Sequence, residues 1–141
     1  MGKVGHFLHS PSSTTVVTGI GTSYDITKAV AIKAARNDIN NQPIEFKGYI
    51  ESLLFAVSNI AGGASKFTVR ICIDANGDLS AIGDVEVPID LGITTATSGT
   101  CQILYDRFPF DNILGVDTLY IFFKVNAGSA NVTTTQLNWS E

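Results

Sequence analysis

With 141 residues the chain fits one domain, and a domain of this size buries roughly two-thirds of the surface its unfolded form exposes, enough for a core without covalent staples. Charged residues make up 16% and hydrophobic residues 45%; a charge fraction below the ~25% of ordinary soluble domains means either that a partner covers part of the surface or that Thr, Ser and Asn serve as its polar groups. Net charge is −4 and the Lys and Arg residues stand singly, as at Lys3, Lys28, Lys47, Arg70 and Lys124, which argues against a phosphate-binding stripe, while no apolar run approaches the roughly 18 residues of a membrane span.

Residues 1–13 hold Gly2, Gly5 and Pro11, with only Val4, Phe7 and Leu8 as apolar anchors. They read as an arm or edge strand preceding a domain over 14–141, and such an arm orders against a neighbour or frays. The segment lacks the continuous apolar stretch of a secretory leader, so a soluble chain without a cleaved export signal is expected. His6 and His9 have no Cys, Asp or Glu close in sequence to complete a metal site, and solvated histidines are the reading taken. Thr14 to Val17 is β-branched and gives a short strand, turned by Gly19-Ile20-Gly21, which lacks the third glycine of a nucleotide loop. Over 25–37, Lys28 to Arg36 is rich in helix formers that Asp25 or Thr27 would cap, whereas Val30, Ile32 and Ala34 alternate as in a strand; the flanks favour strand, with one short helix as the alternative. Asn37 to Pro43 is a loop.

Ile44 to Ile60 is apolar on both faces through Phe46, Tyr49, Ile50, Leu53, Leu54, Phe55 and Val57, and reads as one long strand or as two joined near Gly48. Ala61 to Ser65 turns the chain. Phe67, Val69, Ile71 and Ile73 then alternate with Thr68, Arg70 and Cys72, the pattern of a half-buried central strand. Asn76-Gly77 suits a type I′ hairpin, and the return strand Asp84 to Ile89 carries Val85, Val87 and Ile89 inward, with Pro88 marking it as an edge. After the connection Asp90 to Gly99, the strand Thr100 to Tyr105 sets Cys101, Ile103 and Tyr105 against Gln102 and Leu104. The loop Arg107 to Asp111 presents Phe108 and Phe110 as core plugs or as exposed contacts. Asp117 to Val125 places Leu119, Ile121, Phe123 and Val125 on one face and Tyr120 and Phe122 on the other, so it is central or lies at an interface. Beyond a turn at Asn126 to Ala130, the last strand, Asn131 to Trp139, aligns Thr133, Thr135, Leu137 and Trp139. About eight short strands define the expected class: an all-β, single-domain antiparallel β-sandwich, jelly-roll-like.

Chemistry is harder to find. Asp74, Asn76, Asp78 and Asp84 offer oxygens, but Gly77 falls between Asn76 and Asp78 and no Glu stands at the twelfth place of a Ca²⁺ loop, so a plain hairpin turn is preferred. Glu45, Glu51, Glu86 and Asp106 are single acids with no implied pairing for glycoside hydrolysis. A Ser or Cys nucleophile would need His6 or His9, both in the arm. Cys72 and Cys101 are expected as free, partly buried thiols, and Asn131-Val132-Thr133 matches a glycosylation acceptor only if the chain is exported. No catalytic, cofactor-binding or metal-ligating residue is assigned, and the chain is expected not to be an enzyme.

The turn Asp74 to Asp78 after an apolar strand, the strand Asp117 to Lys124 with its Gly128 turn, and the closing Leu137-Asn138-Trp139 resemble small β-sandwich structural proteins of tailed bacteriophages. The resemblance implies a multi-copy virion component, such as a capsid decoration or cement protein assembled in the host cytoplasm. Its partners would be the major capsid protein and copies of itself, with neither nucleic acid nor membrane. Contacts would then come from Phe7, Leu8, Phe108, Phe110, Tyr120, Phe122 and Trp139, by burial and β-augmentation. The alternative is a glycan-binding or adhesin module, of tail or fibre type, in which Tyr105, Phe108 and Trp139 form stacking platforms.

Overall fold

The computed structural model describes residues 8–33, 46–73, 85–89, 97–104 and 113–140. Within them, period-two alternation yields two antiparallel sheets laid face to face. The larger, seven-stranded sheet is built on β5 (Phe46–Ala61) and β11 (Ser129–Ser140), antiparallel neighbours over most of their length. β8 (Gly99–Leu104) and β9 (Ile113–Val116) pair with β5. The other edge of β11 takes three short pieces in succession: β1 (Leu8–His9), β2 (Ser12–Ser13) and β3 (Val17–Ile20). The second sheet runs in the order β4 (Val30–Lys33), β10 (Thr118–Val125), β6 (Lys66–Cys72), β7 (Val85–Pro88).

The core lies where the inward halves of these alternations meet. Leu53, Phe55, Val57, Ile103 and Leu137 from one sheet face Phe67, Val69, Ile71, Leu119, Ile121 and Phe123 from the other, none more than 4% exposed. Phe55, Phe67 and Phe123 form an edge-to-face trio with centroids 4.9–6.1 Å apart, an arrangement worth about 0.5–1.5 kcal/mol per pair beyond area burial.

The ambiguous stretch after Gly21 contains both expected elements: one turn of 3-10 helix at Ile26–Lys28, then β4. The helix never extends because Ala29 is already extended at its C-cap and Val30 and Ile32 are drawn into the core. Over 46–61 the long-strand reading holds, without a break at Gly48. β10 is indeed central, between β4 and β6, and β7 stands at the end of its sheet, as Pro88 indicated. Two local readings need correction. A bulge between Val132 and Thr134 shifts β11 by one residue, so Val132, rather than Thr133, joins Thr135, Leu137 and Trp139 inside. Ile73 lies beyond the end of β6 and is exposed. The hairpin turn at Asn76-Gly77 and most of the Asp90 to Gly99 connection lie outside the described residues.

Two turns close against each other where β5 and β11 meet. Gly62 and Gly128 both have positive φ (68° and 64°), and a Cβ on Gly128 would fall on the carbonyl oxygen of Ala61 and 2.7 Å from the Gly62 Cα. Gly128→Ala is therefore expected to cost at least about 2 kcal/mol, read as a lower urea midpoint with an unchanged m-value.

The 3-10 turn is capped by Asp25. Its Oδ1 accepts from the Thr27 hydroxyl at 2.6 Å and from the Thr27 amide at 2.9 Å, and these bonds, with nearby Lys28, hold the carboxyl below the ordinary aspartate value. A carboxyl lowered in this way adds stability above its unfolded value and loses it as pH falls through the folded one. A carbon-detected NMR titration should place Asp25 below an unstructured aspartate, and Thr27→Ala should move it up.

Candidate recognition site on the outer face of the larger sheet

The register that buries Phe55 and Leu137 turns their sequence neighbours outward. Asn138, Ser52 and Leu104 form one cross-strand row, and Ser12, Gln136, Leu54 and Gln102 the next. Thr134, Ala56 and Thr100 form a third, with Thr14 at its β2 end. None of these residues carries a charge. The Gln136 side-chain amide donates to Asn138 Oδ1 at 3.2 Å, and the Asn138 amide donates to Ser52 Oγ at 2.8 Å, so two amides are held in fixed orientation across β11 and β5. At the margin, the Ser140 hydroxyl donates to Glu51 Oε1 at 2.5 Å.

Between the second and third rows runs a shallow trough of about 180 Å³, lined by Ser12, Thr14, Leu54, Ala56, Thr100 and Thr134. It crosses four strands, about 14 Å from the β2 axis to that of β8 at ordinary strand spacing. Hydroxyls and amides each donate and accept, and Leu54 and Leu104, 37% and 53% exposed, leave apolar surface among them. The combination suits a neutral, polyhydroxylated ligand with C–H faces. A charged ligand would lose hydration here and meet no counter-charge.

The outer face of the smaller sheet is of another kind. Lys124 stands opposite Thr68 and therefore diagonal to Lys66 and Arg70, while Glu86 stands opposite Thr68 on the far side. The Tyr24 ring lies against both cations, 4.5 Å from Arg70 Cζ and 4.8 Å from Lys124 Nζ. Cations that are scattered along the sequence are thus gathered by the fold, which corrects the inference drawn from their single spacing. Phe122 and Cys72 also point to this side, yet are 2% and 0% exposed.

The residues singled out from sequence fall elsewhere. Trp139 is 1% exposed, inside the protein, stacked on His9 at 4.3 Å and tilted against Phe46 at 5.2 Å. It cannot serve as a stacking platform or a partner contact while the fold is intact, because β11 alternation carries it inward. Phe122 is closed off as well, and Tyr120 is half-buried beside Cys72. Leu8 is described through its backbone, which pairs with Ser140. Phe7, Tyr105, Phe108 and Phe110 lie outside the described residues, as do His6, Glu45, Asp74, Asn76, Asp78, Asp84 and Asp106. His9 is packed on Trp139 instead of standing in solvent. Both cysteines are free and buried, and the Asn131 side chain accepts from the Gly19 amide at 2.9 Å. No cluster of metal-ligating side chains occurs among the described residues. The trough residues were missed because Ser, Thr, Gln and Asn at outward strand positions form no motif. Their only trace in sequence is the uncharged outward set at 52, 54, 56 and at 100, 102, 104.

No protein-family model matches this chain, and no curated protein sequence matches it. Among solved structures, it is similar to a carbohydrate binding module (CBM6cm-2) from Cellvibrio mixtus lichenase 5A in complex with cellotriose, at 16% identity over 91% of this chain and 98% of that one, with a TM-score of 0.43. It is also similar to the C-terminal CBM6 of LamC, a marine laminarinase from Zobellia galactanivorans, at 12% identity over 93% and 98% of the two chains, with a TM-score of 0.40.

Trp139→Ala separates burial from recognition. It is expected to lower unfolding free energy by about 3–5 kcal/mol, measured by chemical denaturation. A variant of unchanged stability would show that the indole is not a core residue.

Proposed function

We propose that this chain is a non-catalytic recognition module that binds neutral carbohydrate across the outer face of its larger sheet. The observation that carries this reading is the set of three uncharged cross-strand rows with exposed Leu54 and Leu104 among hydroxyls and oriented amides. Polar groups of this kind match sugar hydroxyls by shape and direction, and leucine methyls meet the C–H face of a ring. The reading replaces the aromatic platform expected from sequence with a polar one, since Trp139 is inside.

A second reading keeps the protein in a virion, as a multi-copy component bound to a capsid shell and to its own copies. It is favoured by β8, the outermost described strand beside β5, whose six residues include neither charge nor proline, the usual guards of a strand edge.

Calorimetric titration with neutral oligosaccharides (cellohexaose, xylohexaose, mannohexaose) and with anionic polymers (polygalacturonate, heparin) tests the first reading. At least one neutral hexasaccharide should bind and the anionic polymers should not. Thr134→Asp should weaken that binding tenfold or more by placing a carboxylate in the trough, whereas Lys33→Ala, on the other sheet, should leave it unchanged. Failure of every neutral probe, with a self-associated mass in solution, would favour the second reading.

A further inference from the structure

The trough has one wall made of a different kind of structure from the rest. Leu54, Ala56, Thr100 and Thr134 belong to β5, β8 and β11, whose pairings run for many residues, but Ser12 and Thr14 belong to the N-terminal arm. That arm holds to β11 through two-residue pairings only, Leu8↔Ser140 and His9↔Trp139, then Ser12↔Gln136 and Ser13↔Thr135. Between them the Leu137 amide donates to the Pro11 carbonyl at 2.9 Å. Ser12, Thr14, Thr15 and Val16 are exposed, so the stretch buries little of its own. Its one large anchor is the His9 ring stacked on Trp139 at 4.3 Å, outside the trough.

We infer that the arm is a reversible wall of the carbohydrate site, so that ligand binding and arm docking are thermodynamically linked. The inference rests on the carbohydrate reading above and adds its regulation. Short pairings with few buried contacts sit at the low-stability end of a protein's local openings, and β11 keeps its full pairing with β5 when the arm leaves. A ligand that touches Ser12 and Thr14 binds the docked state only, and therefore shifts the equilibrium toward docking. Whatever loosens the arm at His9 weakens binding without altering a group that the sugar touches.

Hydrogen exchange at the Leu137 amide reports the arm in the unaltered chain. The chain is titrated with cellohexaose, xylohexaose and mannohexaose in turn. With a hexasaccharide that binds, present at about ten times its Kd, Leu137 exchange should slow roughly tenfold, while amides that β11 donates to β5 change far less. His9→Ala should accelerate Leu137 exchange and weaken that same hexasaccharide three- to tenfold. Binding that leaves Leu137 exchange unmoved, or that is equally tight in His9→Ala despite a loosened arm, overturns the inference and leaves the carbohydrate reading standing. If the unaltered chain binds none of the three, the reading itself fails and the inference with it.

Discussion

The pairing of β5 with β11 is the constraint on which both the core and the candidate site depend. Leu53 stands opposite Leu137 and Phe55 opposite Thr135, all directed inward, so Ser52 must face Asn138 and Leu54 must face Gln136 outside. Because strand side chains alternate with a period of two, a slip of one residue would exchange the two sets completely, exposing Phe55 and burying Gln136. The bulges between Ser129 and Asn131, Val132 and Thr134, and Asn138 and Trp139 reset this phase locally. Between the last two of them, the register from Thr134 to Asn138 runs unbroken, and that is the stretch from which the trough takes its β11 residues.

The sandwich presents two dissimilar outer faces, and the difference follows from what stands at the outward positions. On the smaller sheet these are Lys66, Arg70 and Lys124 around Thr68, with Phe122 and Cys72 beside them. Two aliphatic stems and an aromatic ring from the Gly21–Lys28 segment lie over this face, with the cations near the Tyr24 ring, an arrangement in which long basic side chains add apolar cover as well as charge. On the larger sheet the outward positions hold Ser, Thr, Gln, Asn and Leu, and no such cover lies across the trough among the described residues. The low charge of the whole chain is thus distributed unevenly, and its least charged region is a continuous surface.

Sequence patterning was most legible where side-chain chemistry and periodicity agree. The alternations in β6, β8 and β10 could be read residue by residue, because Val, Ile and Phe fall at every second place and nothing interrupts the count. β11 was legible as a strand but not in phase, since a bulge leaves no mark in a run of threonines. The stretch from Asp25 defeated a single-element reading because it holds two elements in nine residues, Asp25 to Lys33, with the capping bond belonging to one and the alternation to the other. The site was almost illegible. Aromatic residues draw attention as contact candidates, yet Trp139 and Phe122 supply more stability inside than recognition outside. Uncharged polar residues become a site only when register aligns them across strands, which is information held by the fold.

That alignment also bears on the two explanations of low charge, a surface hidden by a partner or a surface made polar by Ser, Thr and Asn. On the carbohydrate reading they are a single explanation. Charged groups are costly to dehydrate, whereas amides and hydroxyls can exchange water for a ligand's hydroxyls at little net cost, each exchange contributing about 0.5–1.5 kcal/mol. A face composed of such groups stays compatible with water when empty and can still be covered. Because each contact is weak, affinity requires many of them at once, and therefore a ligand long enough to cross several strands. A trough that spans β2, β11, β5 and β8 has that form, and its narrowest support is the two-residue strand at one end.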